Sequence, residues 1–172
     1  MEPSAIAKAM PVMVAPGEFV VSRDPGAAIW TGALGGGLAV SVYDFEAVAG
    51  GVLHALLPAS SLDRARAAER PGIFVDTGLT ALLQAVEKLG VLRERCVVCA
   101  AGAGQILDGG SDFDLGGQNR AALESWLSAP GLKLRAAELE GHVNRALCLN
   151  IAHGEVMLRN FPEEKEVVLW RP

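Results

Sequence analysis

The sequence predicts an α+β domain, and three observations carry that prediction. Short runs rich in β-formers outnumber helical patterns, and the two helical patterns do not alternate with strands as a Rossmann-type sheet requires. Turn formers are dense, with 20 Gly and 9 Pro in 172 residues, while aromatics are only 5%. Many tight turns around an aliphatic core follow from that composition. The length suits one domain spanning residues 1–172, with residues 1–16 as a flexible lead-in. A chain of this size buries enough surface to need no disulfide or metal staple.

The elements follow in order. After Pro16-Gly17, the run Glu18-Phe19-Val20-Val21-Ser22 reads as a short strand closed by the turn Asp24-Pro25-Gly26. A glycine-dense bend runs from Thr31 through Gly35-Gly36-Gly37, and Leu38 to Tyr43 reads as a strand with Leu38, Val40 and Val42 on one face. Gly50 to Leu57 is a further strand closed by Pro58. Ala59 to Gly72 is small, charged and aperiodic, the pattern of a mobile surface loop. Asp76 to Leu89 is the clearest helix, with Leu79, Leu82, Leu83, Val86 and Leu89 at helical spacing, Asp76 as N-cap and Gly90 as C-cap. Arg95–Ala101 reads as a buried strand, and Asn119–Leu127 as a second helix capped by Asn119 and ended by Pro130-Gly131. Strands are then expected at Leu132–Glu138, His142–Ile151, Glu155–Phe161 and Glu166–Trp170.

Composition excludes several functions. Lys+Arg 15 against Asp+Glu 20 gives a net charge of −5, against a nucleic-acid binder, which carries a basic patch. A hydrophobic fraction of 51% excludes intrinsic disorder. No apolar run approaches the roughly 18 residues that cross a bilayer. Met1-Glu2-Pro3-Ser4 lacks the basic start of a secretory signal. Cys96, Cys99 and Cys148 make an odd count, which suits reduced thiols in the cytoplasm.

Among the motifs, Gly102-Ala103-Gly104-Gln105-Ile106-Leu107 has leucine where a dinucleotide fingerprint needs its third glycine, and no Gly-Lys-Ser/Thr follows either glycine-rich stretch. Tight turns explain both, and no cofactor is expected. Cys96-Val97-Val98-Cys99 on a strand sends its two sulfurs to opposite faces, which suits neither a chelate nor a redox pair, so no metal is expected. His54 stands out as a polar ring in an apolar strand soon after Gly50-Gly51. Two readings stay open for it: a hydrogen-bonded core histidine, or a general base titrating near neutral pH. His142 and His153 flank turns and read as surface residues.

Several stretches, in order, resemble the bacterial chemoreceptor glutamine deamidase family, CheD. They are Gly17-Glu18-Phe19, Asp24-Pro25-Gly26, Thr31-x-x-Leu34-Gly35, Val42-Tyr43-Asp44 and Gly50-Gly51-x-x-His54-x-x-Leu57-Pro58. Phe74-Val75-Asp76-Thr77, Gly102-Ala103, Leu115-Gly116-x-x-Asn119, Gly141-x-x-x-Arg145 and Gly154 continue the series. The resemblance implies packed, mixed β-sheets flanked by helices. It implies an activity, conversion of glutamine to glutamate in the cytoplasmic helices of chemoreceptors, and a second partner, a CheC-type phosphatase. It also implies a cysteine nucleophile, a histidine base and a threonine that orients it, the last two matching His54 and Thr31.

The sequence departs from the family at the nucleophile. Relatives read Leu-Gly-Ser-Cys where this chain reads Leu34-Gly35-Gly36-Gly37, so Gly37 stands at the cysteine position and Gly36 at the serine position. Amide hydrolysis by that route needs a thiolate to form a thioester, and glycine has no side chain to do so. Ser41 lies four residues past Gly37 on the same strand, roughly 13 Å away at the usual rise. Cys99 or Cys148 approaching His54, or a water activated by it, keeps the alternative of an active deamidase with another nucleophile open. The favoured expectation is loss of the reaction, with His54, Thr31 and backbone amides near Gly36 and Gly37 shaping a groove that binds a receptor helix unmodified.

Overall fold

The computed structural model describes residues 8–106, 114–128 and 131–172. Its strands are β1 (Met10–Val14), β2 (Phe19–Ser22), β3 (Ala27–Thr31), β4 (Leu38–Asp44), β5 (Ala49–Ala55), β6 (Val97–Gly102), β7 (Leu134–Leu139), β8 (Asn144–Asn150), β9 (Val156–Phe161) and β10 (Lys165–Trp170). Its α-helices are α1 (Arg64–Glu69), α2 (Val75–Glu87) and α3 (Leu115–Leu127). The strands form two five-stranded sheets, in the orders β1-β3-β8-β9-β10 and β2-β5-β4-β6-β7. Both sheets are mixed: β1 runs parallel to β3, and β6 parallel to β7, while the other neighbours are antiparallel. The α+β reading with packed mixed sheets therefore holds.

Strand alternation sorts the core into layers. Ile29, Leu147, Leu149 and Leu158 of the first sheet pack against Ala39, Val52, Cys99 and Ala101 of the second. The opposite face of the second sheet, with Leu38, Val40, Val42, Leu53, Val98 and Ala100, is covered by helical residues Leu79, Leu82, Leu83, Val86 and Leu123. The two long helices thus lie on one side of one sheet. Leu79, Leu82, Leu83 and Val86 form the buried stripe of α2, worth about 2 kcal/mol per large side chain, whereas Leu89 lies past the helix end and is half-buried.

The structure corrects several expectations. The run Ala59–Gly72 is not an irregular loop: it holds α1 between two 3-10 turns, Ser60–Leu62 and Pro71–Ile73. Asp63 caps α1 by accepting from the Arg66 N–H, and Ala67, Ile73 and Phe74 form a small core of their own. Asp76 is not the N-cap of α2, a place held by Phe74; its carboxylate instead accepts from the N–H and hydroxyl of Ser60. Helix α3 begins four residues before Asn119, capped by the Asp114 carboxylate on the Gly117 N–H. Within the expected lead-in, residues 10–14 form β1; residues 1–7, like Leu107 and the helix-ending Pro130, lie outside the described residues.

Candidate functional site

The site forms where β4 and β5 begin and end together. Leu38 pairs with Ala55 and Ala39 with His54, so the glycine turn entering β4 meets the chain leaving β5. His54 shares its strand face with Val52, which places its ring in the layer between the sheets. The residue is 1% exposed, and its Nδ1 is buried with no hydrogen-bond partner among the described residues. The reading of a satisfied core histidine is therefore not met at Nδ1. Burial pushes the imidazole below its ordinary pKa, so the ring is neutral at neutral pH.

Gly37 faces this ring. A Cβ built on Gly37 would lie 3.5 Å from His54 Nε2, within reach of the ring for whatever side chain stood there. The same Cβ would sit only 2.9 Å from the carbonyl oxygens of Ala55 and Leu34. Real Cβ atoms do not sit that close to backbone oxygen, so the turn has closed to a shape that glycine alone fits without a shift. At Gly36 the contrast is clear, with Leu115 Cδ2 at 3.4 Å as the nearest neighbour of an added Cβ.

Hydrogen bonds hold the turn from every side. Gly37 N–H donates to Leu34 O at 2.7 Å, and Gly37 O accepts from Ala103 N–H at 2.8 Å. Gly35 N–H donates to Asn144 Oδ1 at 2.8 Å, Gly35 O accepts from Gly104 N–H, and Gly36 O accepts from Asn119 Nδ2 at 2.9 Å. Leu34 N–H donates to Arg145 O, and the buried Arg145 guanidinium donates to the carbonyls of Glu140 and Val143. The Gly37 amide, expected to be free for a substrate oxygen, is thus already committed to the turn. A cavity of about 240 Å³ adjoins Gly104, lined by Ala103, Gln105, Asp114, Gly117, Glu140 and Gly141.

Thr31 ends β3 on the same face as Ile29 and so points into the layer that holds His54. Its hydroxyl donates to Gly32 O at 2.8 Å and accepts from Leu147 N–H at 3.0 Å. No hydrogen bond joins it to His54 among the described residues.

The other nucleophile candidates are also placed. Cys148 packs with Ala28, Trp30 and Met157 on the outer face of the first sheet, turned away from the layer of His54. Cys99 pairs with Ser41 on the far side of β4 from β5, two strands across and two residues along from His54. At the usual spacings its Cα stands about 12 Å from that of His54. Burial pushes the Cys99 thiol up to about 11, and the Cys148 thiol up as well. Ser41 is the diagonal neighbour of His54 across β4 and β5, about 7–8 Å away. Cys96 does not lie on the strand expected over Arg95–Ala101: it closes the 3-10 turn Arg93–Arg95 ahead of β6, its Sγ donates to Leu92 O, and it packs on the helix-covered side of the sheet while Cys99 packs between the sheets. Among the described residues no three His, Cys, Asp or Glu side chains gather to hold a metal.

Sequence reasoning missed two supports of the turn. Asn144 and Asn119 both supply side-chain hydrogen bonds to it; Asn119 is expected from sequence as a helix cap and as part of Leu115-Gly116-x-x-Asn119, neither of which points to the turn. The glycine three residues before Asn119 was the available signal, since a Cβ on Gly116 would run into Ala103 O. That approach presses the first turn of α3 onto the loop beside the site.

The arrangement is a buried histidine ring, held between the sheets of a two-sheet α+β scaffold, that faces a residue with no side chain. The comparisons give the lineage. The family described as CheD chemotactic sensory transduction matches residues 56–160, a stretch that begins two residues after His54. The chain is 34% identical over 157 residues to a probable chemoreceptor glutamine deamidase CheD of Solibacter usitatus, covering 91% of this chain and 93% of the relative. It is 36% identical over 149 residues to the probable chemoreceptor glutamine deamidase CheD 2 of Anaeromyxobacter dehalogenans, covering 87% and 94%. A probable chemoreceptor glutamine deamidase CheD of Pyrococcus horikoshii is 32% identical over 160 residues, covering 91% and 96%. This chain belongs to the CheD family.

Proposed function

We propose that this chain is a CheD-family chemotaxis protein that has lost glutamine hydrolysis and acts by binding, either to the cytoplasmic helices of a chemoreceptor or to a CheC-type phosphatase. The observation that carries the reading is the absence of any side chain on Gly37, the residue whose Cβ position faces His54 Nε2 at 3.5 Å. Hydrolysis by the covalent route needs a thiolate there to attack the glutamine carbonyl and expel ammonia, and then a water to cleave the thioester. Glycine supplies neither the attack nor the thioester. The placements of Cys99 and Cys148 count against a substitute thiol, since one is two strands away and the other faces outward.

His54 and Thr31 are retained in this reading as parts of the wall between the sheets, not as a working base and its orienter. A water activated by the neutral His54 ring would lack the covalent step, and the Gly37 N–H that would steady an oxyanion is held by Leu34 O. No helix among the described residues is long and apolar enough to cross a membrane. In this reading the protein acts in the cytoplasm because the receptor helices it would bind lie there.

The test is a binding and a turnover measurement on the same sample. Purified protein is titrated by calorimetry with a chemoreceptor cytoplasmic fragment and, separately, with a CheC-type phosphatase. Saturable binding to either, with the receptor glutamines intact after long incubation, is expected. Binding to neither would overturn the reading in favour of an unrelated partner.

A further inference from the structure

We propose that Asn119 is the positioning residue of the candidate site, its carboxamide fixing the gap between residue 37 and the His54 ring. Asn119 is fully buried in α3, and its Nδ2 donates to two carbonyl oxygens that belong to different segments: Gly36 O at 2.9 Å and Leu56 O at 3.2 Å. Gly36 immediately precedes Gly37, and Leu56 lies two residues beyond His54. One side chain therefore ties the entrance of β4 to the exit of β5 at the point where the ring faces the turn. Neither carbonyl belongs to a sheet ladder, so each needs a donor from elsewhere once buried.

The residue type follows from the geometry. Two acceptors must be met from one buried point, and a primary amide offers two N–H donors on a single nitrogen in a short side chain. A carboxylate would turn oxygen toward both carbonyls, and leucine would leave both unpaired. Gly116, one helical turn earlier, allows the approach, because its missing Cβ lets α3 press onto Ala103 O. Asn119 Oδ1 has no partner among the described residues. The side chain is thus kept for its nitrogen, whose two bonds both act on the site. The inference rests on this geometry and stands whether or not the protein binds a receptor.

The experiment is NMR of the full chain, comparing wild type with Asn119→Ala, Asn119→Ser and, as control, Asn160→Ala on β9, whose Oδ1 is also unpartnered. In Asn119→Ala the Gly37 N–H is expected to exchange at least tenfold faster. The Gly36 and Gly37 amide signals and the His54 ring-nitrogen signals should move, while the amides of β9 and β10 keep their wild-type exchange. Asn119→Ser, which retains one donor, should fall between. Asn160→Ala should leave the Gly37 and His54 signals in place. Unchanged Gly37 exchange and His54 signals in Asn119→Ala would overturn the proposal. So would faster exchange spread evenly over both sheets, or failure of both Asn119 variants to fold, since each marks a general core role.

Discussion

Replacing Gly37 by cysteine is the change that tests the closed turn most sharply. The new Cβ would stand 2.9 Å from Ala55 O and from Leu34 O, against an ordinary contact of 3.4 Å or more. Both neighbours are backbone atoms, one beside the paired end of β5 and one in a turn closed by the Gly37 N–H itself. Relief therefore needs a few tenths of an ångström of main-chain movement, at the cost of weakening the Leu34 O hydrogen bond or the Leu38–Ala55 pairing. Overpacking of this kind costs about 1–3 kcal/mol. Taking about 2 kcal/mol, a domain of this size should lose roughly 4–8 °C in Tm. The new thiol would lie beside His54 Nε2, and a thiolate–imidazolium pair lowers a cysteine pKa below its usual value of about 8.5. Thermal unfolding followed by fluorescence, with the pH–rate profile of iodoacetamide alkylation, reads both effects. Gly36→Ser provides the contrast, since its Cβ finds ordinary contacts, and should move Tm by less than about 2 °C. A Gly37→Cys variant as stable as wild type would refute the argument that the turn has closed around glycine.

Further outcomes follow from the same geometry. His54→Phe removes a ring nitrogen that is buried without a partner, so the variant should be within about 1 kcal/mol of wild type in urea unfolding at pH 7. Burial lowers the folded-state pKa of His54, so the unfolded chain binds the extra proton. Wild-type stability should therefore fall as pH drops below the ordinary histidine value of 6.5, and His54→Phe should lose that part of the slope. Arg95→Ala strips the guanidinium from the fully buried Asp44 carboxylate, which keeps only the N–H groups of Leu92, Glu46 and Ala47. The urea midpoint should fall measurably, because a carboxylate that stays buried loses its cation. Cys99 and Cys148, both fully buried with raised pKa values, should resist alkylation at pH 8 until urea unfolds the chain, as mass spectrometry of the labelled peptides would show.

How much of this was legible in the sequence depends on the range of the interaction. Local patterns were enough for α2, whose apolar spacing is its buried stripe, and for β4 and β5, whose runs are bounded by glycine and proline. Strand β3 was not legible: Ala27-Ala28-Ile29-Trp30-Thr31 is buried on both faces, so it shows no alternation between the turns that flank it. Strand β1 carries Pro11, which a central strand excludes, and its exposed edge position with a parallel partner far along the chain tolerates it. At the site, the absence of a side chain at Gly37 and the oddity of His54 were visible from residue types alone. Whether a thiol faces the ring was not, because that depends on strand register: Cys148 points outward because it pairs with Trp30, and Cys99 is remote because β4 lies between. The clamp by Asn119 depends on three segments meeting: Leu115-Gly116-x-x-Asn119 marks the helix start, but not the two carbonyls, Gly36 O and Leu56 O, that the side chain joins.

A protein without a working nucleophile leaves receptor glutamines as they are, and mass spectrometry of receptor peptides reads that outcome. A chemoreceptor cytoplasmic fragment incubated with wild type, with His54→Ala and with buffer alone should show the same glutamine content in all three samples. Glutamate accumulating with wild type and lost with His54→Ala would contradict it, and would mean that the imidazole activates an attacking group that the geometry around Gly37 does not provide.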